Sequence, residues 1–259
     1  MERTQLLMHR LDDIGRTLEV KGGALALLGL GSVGIETGRL DEYSDLDFFV
    51  IVAPGYTQRF IEQLDWLEDT YPLAYHFRNS DLGHKILFED GIYGEFAVFE
   101  EAELAVSDYS EGRIVWMAPG YFNRTITKPL KVFPRIRAES VEFSLNEALT
   151  NQYVGLCRYA RGEKLSALKF IERYAVDSII SVLHLLEEEV NYYPDIYGNE
   201  RRFEKRFPDF AARLGTMLQG YNRVPQSAVS ILGYLEEMYP VNPRLSAEIR
   251  RLAMHCGLS

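Results

Sequence analysis

Asp45 and Asp47 stand two residues apart at the entrance to the apolar run Leu46-Asp47-Phe48-Phe49-Val50-Ile51-Val52. In a strand, residues two apart share a face, so both carboxylates project together while Leu46 and Phe48 turn to the core. Two adjacent carboxylates repel, and a cation relieves the repulsion. Mg²⁺, a hard ion that prefers oxygen ligands, is the natural choice. Upstream lies Gly31-Ser32, separated from Asp45 by twelve residues. Its backbone N–H groups and the serine hydroxyl suit phosphate oxygens. Carboxylate-bound metal beside a phosphate cradle is equipment for displacement at phosphorus, in which paired metals sit about 3.5–4 Å apart.

The elements that must position these groups follow from the pattern. Leu6, Leu7, Leu11, Ile14 and Leu18 recur at helical spacing, and Lys21-Gly22-Gly23 ends that helix. Ala24–Leu30 reads as a buried strand, the 46–52 run as a second, and Thr57–Thr70 as a helix with Phe60, Ile61, Leu64 and Leu67 on one face. Three β segments follow at Leu73–Phe77, Lys85–Phe88 and Glu95–Phe99, with Glu89-Asp90-Gly91 as a hairpin turn between the last two. Arg113–Met117 is one more strand. A linker is expected around Lys128–Pro134, and beyond it the chain turns helical, over Glu139–Ala160, Leu165–Val190, Phe210–Tyr221, Ser227–Tyr239 and Leu245–His255. The expected fold is α+β: residues 1–130 a mixed sheet flanked by helices, residues 131–259 all helical.

Gly29-Leu30-Gly31-Ser32-Val33-Gly34 also matches the dinucleotide pattern GxGxxG. That motif requires a full helix after the glycines and a strand ending in an acid about 20 residues on. Only Ile35–Ser44 separates Gly34 from the next strand run, and the acids open that strand instead of closing it. A Rossmann unit is not expected.

Gly31-Ser32 followed by Asp45-Leu46-Asp47-Phe48 resembles the signature of the DNA polymerase β-like nucleotidyltransferase superfamily. The resemblance implies a third carboxylate on a later strand, and Gly94-Glu95-Phe96 supplies it, Glu95 facing away from Phe96 and Val98. With the Glu42-Tyr43-Ser44-Asp45 context and the helical second half, the chain is most similar to lincosamide nucleotidyltransferases and more distantly to aminoglycoside adenylyltransferases. The motif-level likeness covers residues 24–99; over 140–259 it rests on architecture. It implies that Asp45 and Asp47 bind metal, two Mg²⁺ ions in all, and that Gly31 and Ser32 contact a nucleoside triphosphate, ATP before other donors. Glu95 either completes the metal site or takes the proton from the acceptor hydroxyl. The acceptor implied is a small, antibiotic-like molecule with a hydroxyl, plausibly cationic, in a cleft between the two halves. A macromolecular acceptor (protein or RNA) and a non-catalytic nucleotide sensor are the alternatives, and a homodimer is a further expectation.

The 259 residues carry 28 Lys+Arg against 38 Asp+Glu, a net charge of -10. Residues 1–130 hold 22 acids and 11 bases, net -11, whereas 131–259 hold 16 acids and 17 bases, net +1. The acidic first half is a poor partner for duplex nucleic acid or an anionic membrane and a good one for cations. A triphosphate there still needs outer cations. Arg158, Arg161, Lys164, Lys169 and Arg173 cluster around the Arg161-Gly162-Glu163 break, with Arg161, Lys164 and Lys169 the choices for nucleotide and a solvated helix surface the competing explanation. For Arg201, Arg202, Lys205 and Arg206 a solvated face or salt-bridge role is expected. His76 and His84 have no partner at metal-ligand spacing and read as structural; Tyr192, Tyr193 and Tyr197 would suit either an acceptor wall or loop packing. Cys157 and Cys256 form no CxxC, and no run approaches the roughly 20 apolar residues of a membrane span. With no secretory signal read at the N-terminus, a cytoplasmic setting is expected.

Overall fold

The computed structural model describes residues 2–129, 137–195 and 197–257. The chain divides into two compact units, Met1–Phe133 and Pro134–Ser259. Most of the linker expected at Lys128–Pro134 lies outside the described residues. The fold is α+β, with a mixed sheet and its flanking helices followed by a helical unit.

In the first unit, helix α1 (Arg3–Lys21) buries Leu7, Leu11, Ile14 and Leu18 completely, as its periodicity predicts. Gly22 and Gly23, at φ +67° and +83°, turn the chain into β1 (Ala24–Gly29). The left-handed backbone of two successive residues is accessible at low cost only to glycine. Strands β2 (Leu46–Val52), β3 (Leu73–Arg78), β4 (Gly83–Phe88), β5 (Tyr93–Glu100) and β6 (Arg113–Met117) complete a sheet of order β3-β4-β5-β2-β1-β6. Only β2 and β5 run parallel; every other neighbouring pair is antiparallel. The antiparallel β1–β2 pairing excludes the Rossmann unit outright, since that unit needs parallel strands.

One sheet face buries Phe48, Val50, Phe96 and Val98 against α1 and the helical segment after β2; the other buries Ala26, Leu28, Ile51 and Phe99 with Leu104, Tyr109 and Ile126. The single helix expected over Thr57–Thr70 is two short ones, α2 (Thr57–Glu62) and α3 (Asp65–Glu68). Gln63 breaks it with extended backbone at φ -119°, ψ 106°. The break lets Phe60, Ile61, Trp66 and Leu67 all reach the core, and Trp66 Nε1 donates to Phe60 O at 3.1 Å. Trp66 meets Phe96 edge-on, with ring centroids 5.1 Å apart, and Phe48 stacks on Phe96 at 5.4 Å. A short helix α4 (Glu101–Leu104) follows β5.

His84, read from sequence as structural, is buried on β4 and stacks on Phe96 at 5.5 Å, with Nε2 3.1 Å from Ile61 O. Its Nδ1 has no hydrogen-bond partner among the described residues. Burial pushes its pKa below the ordinary imidazole value, against the contrary pull of the Ile61 carbonyl; His76 and Arg78 add to the depression. Between the folded value and about 6.5 the unfolded chain therefore binds a proton that the folded chain refuses. This contribution to stability is present above about pH 6.5 and is lost as pH falls below it. His84→Phe is expected to flatten the dependence of the urea midpoint on pH between 5 and 7.5. An unchanged slope would refute the assignment.

The second unit opens on α5 (Val141–Ala160), capped by Ser140 Oγ accepting from Phe143 N at 3.2 Å. The helix expected over Leu165–Val190 ends early and is not uniform: α6 (Lys164–Leu168), a π-helical segment (Lys169–Ala175), α7 (Val176–Val182) and a 3₁₀ turn ending at Leu185. Within the π segment Glu172 accepts from Gly220 N and Ser227 Oγ. Helices α8 (Phe203–Arg206), α9 (Pro208–Met217), α10 (Val224–Met238) and α11 (Pro243–His255) complete the unit. Arg206, 2% exposed, pairs with Glu189 at 2.7 Å, and Arg202 pairs with Asp195 at 2.6 Å; these basic residues are salt-bridge partners.

Candidate active site

The site is built where β1 and β2 exchange backbone for turn. Leu30 N donates to Asp47 O at 2.8 Å, which fixes the start of the glycine turn beside the second aspartate. Gly31–Val33 then forms one turn of 3₁₀ helix. Gly31 has φ +53°, and a Cβ placed on it would meet Arg39 Nη2 at 2.7 Å. A Cβ on Gly34 would lie 2.6 Å from Gly29 O, and one on Gly29 would lie 2.7 Å from Val33 O. Gly29 and Gly34 therefore serve close backbone packing, and Gly31 serves a left-handed turn beneath the Arg39 guanidinium.

The spacer is short because it is folded on itself. Gly34 N and Glu36 N both donate to Gly31 O, at 3.1 and 3.0 Å, and Thr37–Arg39 makes a second 3₁₀ turn. An Asx turn follows, in which Tyr43 N and Ser44 Oγ donate to Asp41 Oδ1 at 2.9 and 3.1 Å. It delivers Asp45 immediately before β2 and Asp47 as its second residue. Leu46 between them and Phe48 after Asp47 are fully buried, whereas both aspartates are partly exposed.

Across the parallel ladder Asp47 is the register partner of Glu95, Leu46 of Gly94 and Phe48 of Phe96. Asp47 and Glu95 therefore occupy one face at one level, brought together by strands 48 residues apart in sequence. The carboxylate of Glu95 is engaged from β4 and its loop: Asn79 Nδ2 donates to Oε1 at 2.7 Å, and Lys85 Nζ lies 3.6 Å from Oε2. Among the described residues, no three His, Cys, Asp or Glu side chains gather closely enough to hold a metal ion. The donors nevertheless suit Mg²⁺, which is commonly held by one or two carboxylates plus substrate phosphates and water. Ser32 is buried, 4% exposed.

Two cations beside the glycine turn were missed from sequence. Arg39 Nε pairs with Glu36 at 2.5 Å, and Arg113 Nη2, from β6, donates to Val33 O at 3.1 Å. Arg39 carries a retrievable signal, because any loop that closes the Gly-Ser to Asp-x-Asp spacer must bring its charge near the carboxylates. Arg113 depends on β6 pairing with β1, which one sequence does not reveal.

Arg161, Lys164 and Lys169 belong to the second unit, at the corner between α5 and the π segment. There Arg158 pairs with Glu163 at 3.0 Å and lies over Phe170, and Lys164 lies over Tyr159 with Nζ 5.2 Å from the ring centroid. Among the described residues no helix is long and apolar enough to cross a membrane.

The fold is an α+β one, a mixed-sheet unit with a glycine-serine turn beside the register-paired Asp47 and Glu95 and with Asp45 just ahead of β2, followed by a helical unit. No family model and no curated protein matches the chain. Among solved structures it is similar to an aminoglycoside 6-adenyltransferase from Bacillus subtilis, at 14% identity over 97% of this chain and 99% of that one, with a TM-score of 0.35.

Proposed function

We propose that this chain is a Mg²⁺-dependent nucleotidyltransferase that moves a nucleoside monophosphate, AMP from ATP, to a hydroxyl of a small antibiotic-like acceptor. The observation that carries the reading is the lateral register of Asp47 with Glu95, with Asp45 two residues upstream and the Gly31–Ser32 turn tied to Asp47 by the Leu30 hydrogen bond. Asp45 and Asp47 would hold Mg²⁺. Bound metal supplies charge neutralisation at the phosphates and acidifies a coordinated hydroxyl.

The acceptor oxygen bonds to the α-phosphorus as the bond from that phosphorus to the α,β-bridging oxygen breaks, and pyrophosphate leaves with the electron pair. Glu95 takes the hydroxyl proton. Asn79 and Lys85 hold its carboxylate from β4 and the loop before it. The N–H groups opening the Gly31 turn receive phosphate oxygens.

A pyrophosphate-release screen tests the reading, with lincosamides, aminoglycosides and simple polyols as acceptors and ATP, GTP and CTP as donors, each with Mg²⁺. Release that requires both metal and one acceptor class is expected. Acceptor-independent hydrolysis, or no release across the panel, would overturn it.

A further inference from the structure

Arg39 is more than a neighbour of the site. Its guanidinium lies 2.7 Å from the position a Gly31 Cβ would take, and Asp47 Oδ2 lies 3.8 Å from that same point. The arginine is therefore a neighbour of the glycine turn, with its Nη2 no more than 6.5 Å from the Oδ2 of the aspartate that the proposed chemistry needs for metal. It is held there from two directions. Glu36 pairs with its Nε, both side chains being only about a quarter exposed, and the Thr37–Arg39 turn is anchored through the Glu36 N–H to Gly31 O. Gly31 leaves the space open, since any side chain there would displace the guanidinium.

We infer that Arg39 is the resident counter-cation of the carboxylate site, standing beside Asp47 until a metal–nucleotide complex arrives and then turning to the triphosphate. The inference rests on the nucleotidyl-transfer reading for the identity of that ligand. Without a cation, Glu36, Asp45 and Asp47 would crowd negative charge in a unit that already carries a large excess of acid. A planar guanidinium with five N–H donors satisfies a carboxylate and a phosphate equally well, so one group can serve both states. Metal reaching Asp47 has to displace this charge, and the displacement is compensated only when phosphates enter and receive the arginine. Divalent ion thus binds with nucleotide and poorly ahead of it, which guards the site against idle metal.

Mn²⁺ titration followed by the free-ion paramagnetic resonance signal tests this directly, on the full chain, with and without a non-hydrolysable ATP analogue. Wild type is expected to bind Mn²⁺ weakly alone and tightly with the analogue. Arg39→Gln should bind Mn²⁺ alone roughly tenfold more tightly and the Mn²⁺–analogue complex roughly tenfold more weakly, the scale of one lost or gained charge contact near a protein surface. Arg39→Lys, which keeps the charge, should stay near wild type in the metal-only titration, and thermal melts confirm folding of both variants. If wild type binds the Mn²⁺–analogue complex and Asp47→Asn does not, yet Arg39→Gln takes up Mn²⁺ no more tightly than wild type, the inference alone falls. If wild type binds no Mn²⁺–analogue complex, the nucleotidyl-transfer reading falls with it.

Discussion

Asp45→Asn and Asp47→Asn are each expected to lower nucleotidyl transfer by about 10²–10³-fold while the protein stays folded. Asparagine keeps the shape of the side chain and removes the charge. Metal-borne charge stabilisation at phosphorus is worth several kcal/mol, and each 1.36 kcal/mol is about tenfold in rate. The fold should survive because its main-chain bonds here do not depend on the side-chain charge: Asp47 O accepts from Leu30 N, and β2 keeps its ladder to β5. In Asp45→Asn, removing one of two neighbouring carboxylates also relieves repulsion, so its melting temperature should hold or rise. The pair of measurements is initial rate of pyrophosphate release and melting temperature on the same preparations. Wild-type turnover by either variant would contradict the two-carboxylate assignment, and unfolding of both would show their role to be structural.

Gly34→Ala is expected to have the largest effect on stability of any single methyl addition in the glycine turn. The new Cβ would lie 2.6 Å from Gly29 O and 2.8 Å from both Leu30 C and Leu30 Cα. All three are backbone atoms, and none can swing aside as the tip of a long side chain would. Forcing the turn open costs about 3 kcal/mol by comparison with other overpacked sites. For a unit of this size that corresponds to a melting temperature lower by about 10 °C. Because the Gly31–Ser32 turn and the Leu30–Asp47 hydrogen bond are moved together, transfer should fall as well. Gly215→Ala in α9 is the contrast, since nothing lies within 4 Å of its added Cβ and helix propensity favours alanine. It should be neutral or stabilising. A Gly34→Ala melt that matches wild type would mean that this turn tolerates rearrangement and does not fix the site.

How much of this was legible in the sequence depends on the range of the interaction. Local alternation marked β2 and β5, because Leu46, Phe48, Phe96 and Val98 are buried at every second position. It also placed Asp47 and Glu95 at strand starts. That these two strands pair in parallel, with Asp47 opposite Glu95, is a non-local fact, and the sequence alone supported it only through a family resemblance. The engagement of Glu95 by Asn79 and Lys85 was hidden for the same reason: it arises from the β4–β5 hairpin register. The place of Arg39 has no local signature in the spacer, where two 3₁₀ turns and an Asx turn fold the chain back over Gly31. The helix breaks at Gln63 and in the Lys169–Ala175 π segment have no glycine or proline to announce them. Tertiary packing sets them, through Trp66 in one case and the Glu172 contacts to Gly220 and Ser227 in the other.

Following two labels on one ATP molecule decides whether the bond broken lies at the α-phosphorus. With an acceptor identified by the pyrophosphate screen, ATP carrying distinguishable labels on the α- and γ-phosphates is turned over with Mg²⁺ and the products separated. Nucleotidyl transfer should put the α-label on the acceptor and the γ-label in pyrophosphate, in equal amounts, with both lost in Asp47→Asn. The γ-label on the acceptor, or both labels in free nucleotide and orthophosphate, would contradict it.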